Sequence, residues 1–255
     1  MARKPIVIGN WKMNGTIEET LKLVTEINHK LESPEIDVVV APPFTALYSA
    51  YVMLQEMPTL KLGAQNMHWE SEGAYTGEVS GAFLKDISCD YVIVGHSERR
   101  QMFGETDDTV NKKMIAAVSQ ELIPILCIGE TREQRSTGKT ESILENQLKK
   151  ALNNIPMSEA KNIVVAYEPV WAIGSGETPT DKQIDEAAYF IRNVLGRLYD
   201  SPTANTIRVL YGGSVTPDNA GIFFRLPQID GFLVGGASLF AEKFLKIIES
   251  QRSNS

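Results

Sequence analysis

The sequence predicts an α/β chain folded as a single (β/α)8 barrel, one domain over residues 1–255, on three observations. Eight short runs are almost continuously apolar, as strands covered on both faces must be. Segments with helical periodicity lie between them. The repeat averages about 32 residues over the 255, the size of a strand plus its crossover helix in this architecture.

In chain order the strand runs are Ile6 to Ile8, Val38 to Ala41, Leu60 to Ala64, Tyr91 to Val94, Ile123 to Ile128, Ile163 to Tyr167, Ile207 to Tyr211 and Phe232 to Val234. After the first run, Ile17, Leu21, Val24, Ile27 and Leu31 form an apolar helical stripe, opened by Thr16 and Glu19 as a capping box. After the sixth run, Ile184, Ala188, Ile191 and Leu195 repeat the pattern behind Thr180 and Gln183, with Gly196 as the expected stop. Thr216-Pro217 opens another helix, because proline at the first position lacks only an N–H that would be unpaired there anyway. A last helical segment carries Leu239, Phe240, Phe244, Ile247 and Ile248. The competing architecture is a doubly wound open sheet. Against it, Gly9-Asn10-Trp11-Lys12 is not the GxGxxG turn of a dinucleotide fold, and no GxxxxGK[ST] is present. Three connections are longer than turns require: 65 to 81, 129 to 139 and 169 to 179.

Composition narrows the function classes. Lys plus Arg number 25 against 32 Asp plus Glu, a net charge of −7, which argues against nucleic acid or an anionic membrane surface as partner. No apolar stretch approaches 18 residues, and the N-terminal residues carry no secretory pattern, so a cytoplasmic protein is expected. Cys89 and Cys127 form no CxxC pair and sit in apolar surroundings, consistent with reduced core thiols. His29, His68 and His96 show no HxH or HExxH spacing, so no metal site is expected.

In a (β/α)8 barrel the side chains that follow each strand converge on one mouth. Asn10 and Lys12 follow the first run, His96 and Glu98 the fourth, Glu168 the sixth, Ser214 the seventh, and Gly235 and Gly236 the eighth. Singly, each has a plain reading: a surface lysine, a buried rim histidine, a capping glutamate, glycines that permit tight turns. Their arrival at the same end of successive strands favours a shared site. The glycine clusters YGGSV and VGGAS offer backbone N–H groups to a phosphate. Beside a lysine, they point to a small phosphorylated substrate.

The segments GNWKMNG (9–15), VGHSERR (94–100), CIGE (127–130), AYEPVWAIGSG (166–176), YGGSV (211–215) and GFLVGGASL (231–239) are similar, in order and spacing, to the signatures of the triosephosphate isomerase family. The chain resembles that family over essentially its full length. The resemblance implies a TIM barrel that interconverts dihydroxyacetone phosphate and D-glyceraldehyde 3-phosphate, in glycolysis and gluconeogenesis, as a cofactor-free homodimer. It implies Glu168 as base, His96 as electrophile, Lys12 as electrostatic residue, Asn10 assisting in the pocket and Glu98 supporting the charges around Lys12 and His96. Phosphate contacts fall on Gly174, Ser214, Gly235 and Gly236. Residues 169–179 become a lid and the loop 65–81 the arm that docks in a second subunit, with Thr76 near that subunit's Asn10 and Lys12. Glu177 departs from the pattern, since many relatives carry lysine there. Two other functions use the same residues: a phosphosugar lyase or aldolase with Lys12 as Schiff base, and a sugar-phosphate binding module in which Glu168 is superfluous.

Overall fold

The computed structural model describes residues 3–31, 35–56, 59–173 and 177–251. Eight parallel strands close on themselves in sequence order: β1 (Ile6–Asn10), β2 (Asp37–Ala41), β3 (Lys61–Ala64), β4 (Tyr91–Val94), β5 (Ile123–Ile128), β6 (Val164–Tyr167), β7 (Arg208–Tyr211) and β8 (Gly231–Val234). Pairing of Val7 with Phe232 and Ile8 with Leu233 joins β8 to β1, so no sheet edge remains.

The alternation of side chains along each strand sorts them into two cores. Ile6, Ile8, Val39, Tyr91, Ile93, Ile125, Val164, Ala166, Leu210 and Leu233 point inward and fill the barrel. Val7, Val38, Val40, Val92, Leu126, Val165 and Val209 point outward, under the helices. Both faces are dry, which is why the runs read as continuously apolar. Both cysteines are free and buried. Burial pushes the Cys89 thiol up to about 12 and, aided by the Glu168 charge, that of Cys127 well above its ordinary value, so neither is a ready nucleophile.

The caps at Thr16 with Glu19 and Thr180 with Gln183 form as the spacing requires, opening helices Ile17–Lys30 and Asp181–Leu198. Thr216 precedes helix Pro217–Phe223. Two local expectations fail. Ile17 is 47% exposed, and Thr20 takes its place on the buried face with Val24 and Ile27. Helix Asp181–Leu198 runs through Gly196, where a Cβ would meet Ala204 and Ser201 only at an ordinary 4.0 Å. Among the described residues no helix is long and apolar enough to cross a membrane.

Candidate active site

The barrel mouth forms a cavity of about 850 Å³ lined by Asn10, Lys12, His96, Glu168, Ser214, Gly235 and Gly236. Seven of the eight residues expected to bind or transform substrate therefore share one space; Gly174 lies outside the described residues, as does Gly176 of the expected lid.

Lys12 leaves β1 with a left-handed backbone, φ 54°, a conformation that a non-glycine residue adopts only when held. Two side chains hold it. The Asn10 carboxamide oxygen accepts the Lys12 N–H at 3.1 Å, and the Gln65 amide donates to the Lys12 carbonyl at 2.8 Å and to that of Ala41 at 2.8 Å. The turn swings the ammonium over the mouth, where it meets Glu98 Oε1 at 2.6 Å. A Cβ at Gly235 would lie 3.5 Å from Lys12 Cε, so the end of the lysine stem passes beside the first glycine after β8.

His96 and Glu168 are buried, with 6% and 3% of their surfaces exposed. His96 caps the short helix Ser97–Met102: its Nδ1 accepts the Glu98 N–H at 3.2 Å. A nitrogen that accepts carries no proton, so the ring proton sits on Nε2, which faces Glu168 Oε1 at 3.0 Å. The second carboxylate oxygen of Glu168 accepts the Ser97 N–H at 3.0 Å. Burial raises the Glu168 carboxyl, but His96, this amide and Lys12 outweigh it and hold its pKa below the usual carboxylate range. For His96, burial favours the neutral ring while the charges of Glu168 and Glu98 pull its pKa above the ordinary value. The Glu98 N–H directed at Nδ1 matches the neutral tautomer, which donates from Nε2.

Glu168 sits between two glycines. A Cβ at Gly129 would come within 1.7 Å of the Glu168 carbonyl oxygen, and one at Gly212 within 3.0 Å of its Cγ. The sequence assigned no role to Gly129, Gln65 or the Ser97 amide, whereas Gly212 belongs to the YGGSV cluster it singled out. The GG pair of YGGSV signalled close approach, although to the base as much as to a phosphate.

The segment after Glu168 folds into a short 3-10 turn, Val170–Ala172, and Trp171 is buried rather than left on the surface. Its indole N–H donates to Glu130 Oε1 at 2.9 Å, and the Arg135 guanidinium lies 4.3 Å from its ring centroid. Glu130, fully buried, also accepts from the Tyr167 hydroxyl at 3.2 Å and from Arg135 at 3.1 Å. Arg132 donates to the Trp171 carbonyl at 3.0 Å and to Glu177 at 2.9 Å, so it ties both ends of the described part of the segment 169–179 to the segment after β5.

In the loop 65–81, Met67 is buried in the core of its own chain, its Cε 3.0 Å from where a Cβ at Gly81 would lie. His68 stacks between Trp69 and Tyr75, at 4.2 and 4.4 Å. Tyr75 is 44% exposed.

A closed (β/α)8 barrel with a buried carboxylate, a neutral imidazole and an ammonium at its C-terminal mouth defines a protein equipped for acid-base chemistry on an anionic substrate. A family model described as triosephosphate isomerase matches residues 5–251. Proteins of that name are 48% identical in Alkaliphilus metalliredigens, covering 96% of this chain and 99% of the relative, and 50% identical in Moorella thermoacetica, covering 96% and 98%. The relative in Dictyoglomus turgidum is 47% identical over 97% of this chain and all of its own length. The chain belongs to the triosephosphate isomerase family.

Proposed function

We propose that this chain interconverts dihydroxyacetone phosphate and D-glyceraldehyde 3-phosphate through an enediolate, with Glu168 as the base. One observation carries the assignment: a buried carboxylate lies 3.0 Å from a protonated imidazole nitrogen inside a cavity that also holds a lysine. Removing a proton from carbon next to a carbonyl leaves charge on oxygen, so the reaction needs a base at carbon and donors at oxygen. Glu168 takes the proton from C1 of the ketone. His96 donates from Nε2 to the developing oxyanion, and the Lys12 ammonium offsets charge on that oxygen and on the phosphate. Glu168, now a carboxylic acid, returns the proton to C2, where the C1–C2 π pair takes it up; the O1–H bond pair closes the C1 carbonyl as the hydroxyl proton passes from O1 to O2 by way of His96 Nε2, which gives its own proton to O2 and takes the one from O1. No net oxidation occurs, so the side chains account for the chemistry without a redox cofactor.

In the free site the imidazole N–H points at the base. Substrate has to come between them, so that its carbonyl takes the Nε2 donor and its carbon meets the released carboxylate. Asn10 acts by fixing the Lys12 turn, and Glu98 by holding the ammonium near the mouth. Ser214, Gly235 and Gly236 bind the phosphate, and we assign Gly174 to the same group by resemblance. Two copies assemble through the loop 65–81. Support comes from Tyr75 on that loop and from Met13, Met102 and Phe103, which follow β1 and β4 and are 96%, 71% and 67% exposed. Exposed apolar side chains of this size are what an interface covers. The same reading makes the chain a single-domain cytoplasmic enzyme.

The competing lyase reading needs Lys12 as a covalent amine, and its ammonium is instead paired with Glu98 at 2.6 Å. Borohydride trapping tests it: with dihydroxyacetone phosphate present, the isomerase reading expects no modified Lys12, and a stoichiometric adduct overturns it.

A further inference from the structure

We propose that Gln147, on the outer helix Thr140–Ala151, is a positioning residue for the base; the inference rests on the reading of Glu168 just given. Gln147 does not line the substrate cavity. It faces a separate space of about 420 Å³ behind the site, shared with Ser97, Gly129, Thr131 and Val170.

The strand ladder ends one residue before the turn that matters. Ile128 closes β5, and its carbonyl accepts the Glu168 N–H at 2.8 Å. Gly129 comes next, and the Gln147 side chain binds both of its backbone groups. Oε1 accepts the Gly129 N–H at 2.8 Å and Nε2 donates to the Gly129 carbonyl at 3.3 Å. A carboxamide is the neutral side chain that supplies donor and acceptor together, and here it takes the place of a neighbouring strand.

The peptide so held lies flush against the base. With the Gly129 Cβ position only 1.7 Å from the Glu168 carbonyl oxygen, the turn cannot advance without moving the Glu168 main chain. The adjoining Glu130 anchors Trp171 and Tyr167, the residues on either side of the Glu168-Pro169-Val170 segment. Gln147 thus fixes from outside the one turn that locates both the carboxylate and the start of the lid.

The test compares Gln147→Leu and the isosteric Gln147→Glu, each alone and in a Glu168→Asp background, reading kcat, KM, the Kd for inorganic phosphate by calorimetry, and Tm. Gln147→Leu removes both bonds and is expected to lower kcat about 10- to 100-fold through misplacement of the base. KM and the phosphate Kd should stay within about twofold, since groups that bind uniformly are untouched. Gln147→Glu keeps the acceptor for the Gly129 N–H and loses the donor to its carbonyl, so its kcat should fall below the parent's by up to about tenfold with KM unchanged, a comparison with the parent that needs no folded Leu variant. In the Glu168→Asp background the further loss should be smaller than in the parent, because both changes act on one carboxylate. A lowered Tm with unchanged kcat, or equal fold-losses in the two backgrounds, overturns the inference. If Glu168→Asp alone keeps the parent kcat, the base assignment itself fails; if only the Gln147 variants keep it, the positioning role alone does.

Discussion

Shortening Glu168 by one methylene is the sharpest perturbation of the proposed chemistry, because the structure leaves the backbone no means of following. The carboxylate reaches His96 Nε2 and the Ser97 N–H at 3.0 Å each. Glu168→Asp draws it back by about one carbon–carbon bond, roughly 1.5 Å, so these contacts lengthen to about 4.5 Å and cease to be hydrogen bonds. The main chain is pinned on one side by the Ile128 carbonyl and the Gly129 peptide, and on the other by the Gly212 N–H, which donates to the Tyr167 carbonyl at 2.8 Å. Misplacement of a reacting group by 1 Å costs about 100-fold. The expected loss is therefore about 100- to 1,000-fold in kcat, or about 3 to 4 kcal/mol of barrier, with little change in KM. Steady-state assay in both directions measures it. A parent-like kcat with a raised KM would make Glu168 a binding residue and refute the reasoning.

Three further perturbations separate binding, assembly and stability. Lys12→Met keeps length and removes the cation, so both kcat and the affinity for inorganic phosphate should fall by at least about tenfold; an unchanged calorimetric Kd rejects the phosphate role. Thr76→Glu combined with Tyr75→Glu places charge on the exposed tip of the loop 65–81 and should give monomers of severely reduced turnover in sedimentation velocity and assay; a monomer with full kcat refutes the coupling. At the opposite end of the barrel, burial raises the Asp37 carboxyl, but Lys4 at 2.8 Å, Lys61 at 3.6 Å and Arg208 at 2.8 Å outweigh it, and its pKa is lowered. A depressed carboxylate contributes stability above its unfolded pKa, about 3.9, and loses it as pH falls through the lower folded value. Asp37→Asn should therefore lower Tm at neutral pH, and the gap to the parent should close below about pH 4; a gap independent of pH contradicts this.

The barrel was legible because parallel strands buried on both faces leave unmistakable apolar runs, and the capping boxes at Thr16 and Thr180 marked where helices begin. Ile17 lies off the buried face because packing on the barrel, not the first apolar residue of the stripe, sets that face, and it admits Thr20. Gly196 does not end its helix, since one glycine costs a helix only about 1 kcal/mol and the buried Ile191, Val194 and Leu195 hold this stretch in the core. At the site, Lys12, His96 and Glu168 could be found from their positions after strands. Gln65, Gln147, Gly129 and the Ser97 amide could not, since their work depends on which backbone groups the folded chain leaves without a ladder partner. No local pattern encodes that.

The central claim is proton transfer by a side-chain carboxylate at carbon, without cofactor or metal. It is tested most directly by incubating the purified, chelator-dialysed protein with dihydroxyacetone phosphate in deuterium oxide and following the product by NMR. Glyceraldehyde 3-phosphate should carry solvent deuterium at C2 in part of the product, and that product should be lost in Glu168→Gln. Conversion with no solvent label at C2 under any condition, or activity restored only by a divalent metal, would contradict it.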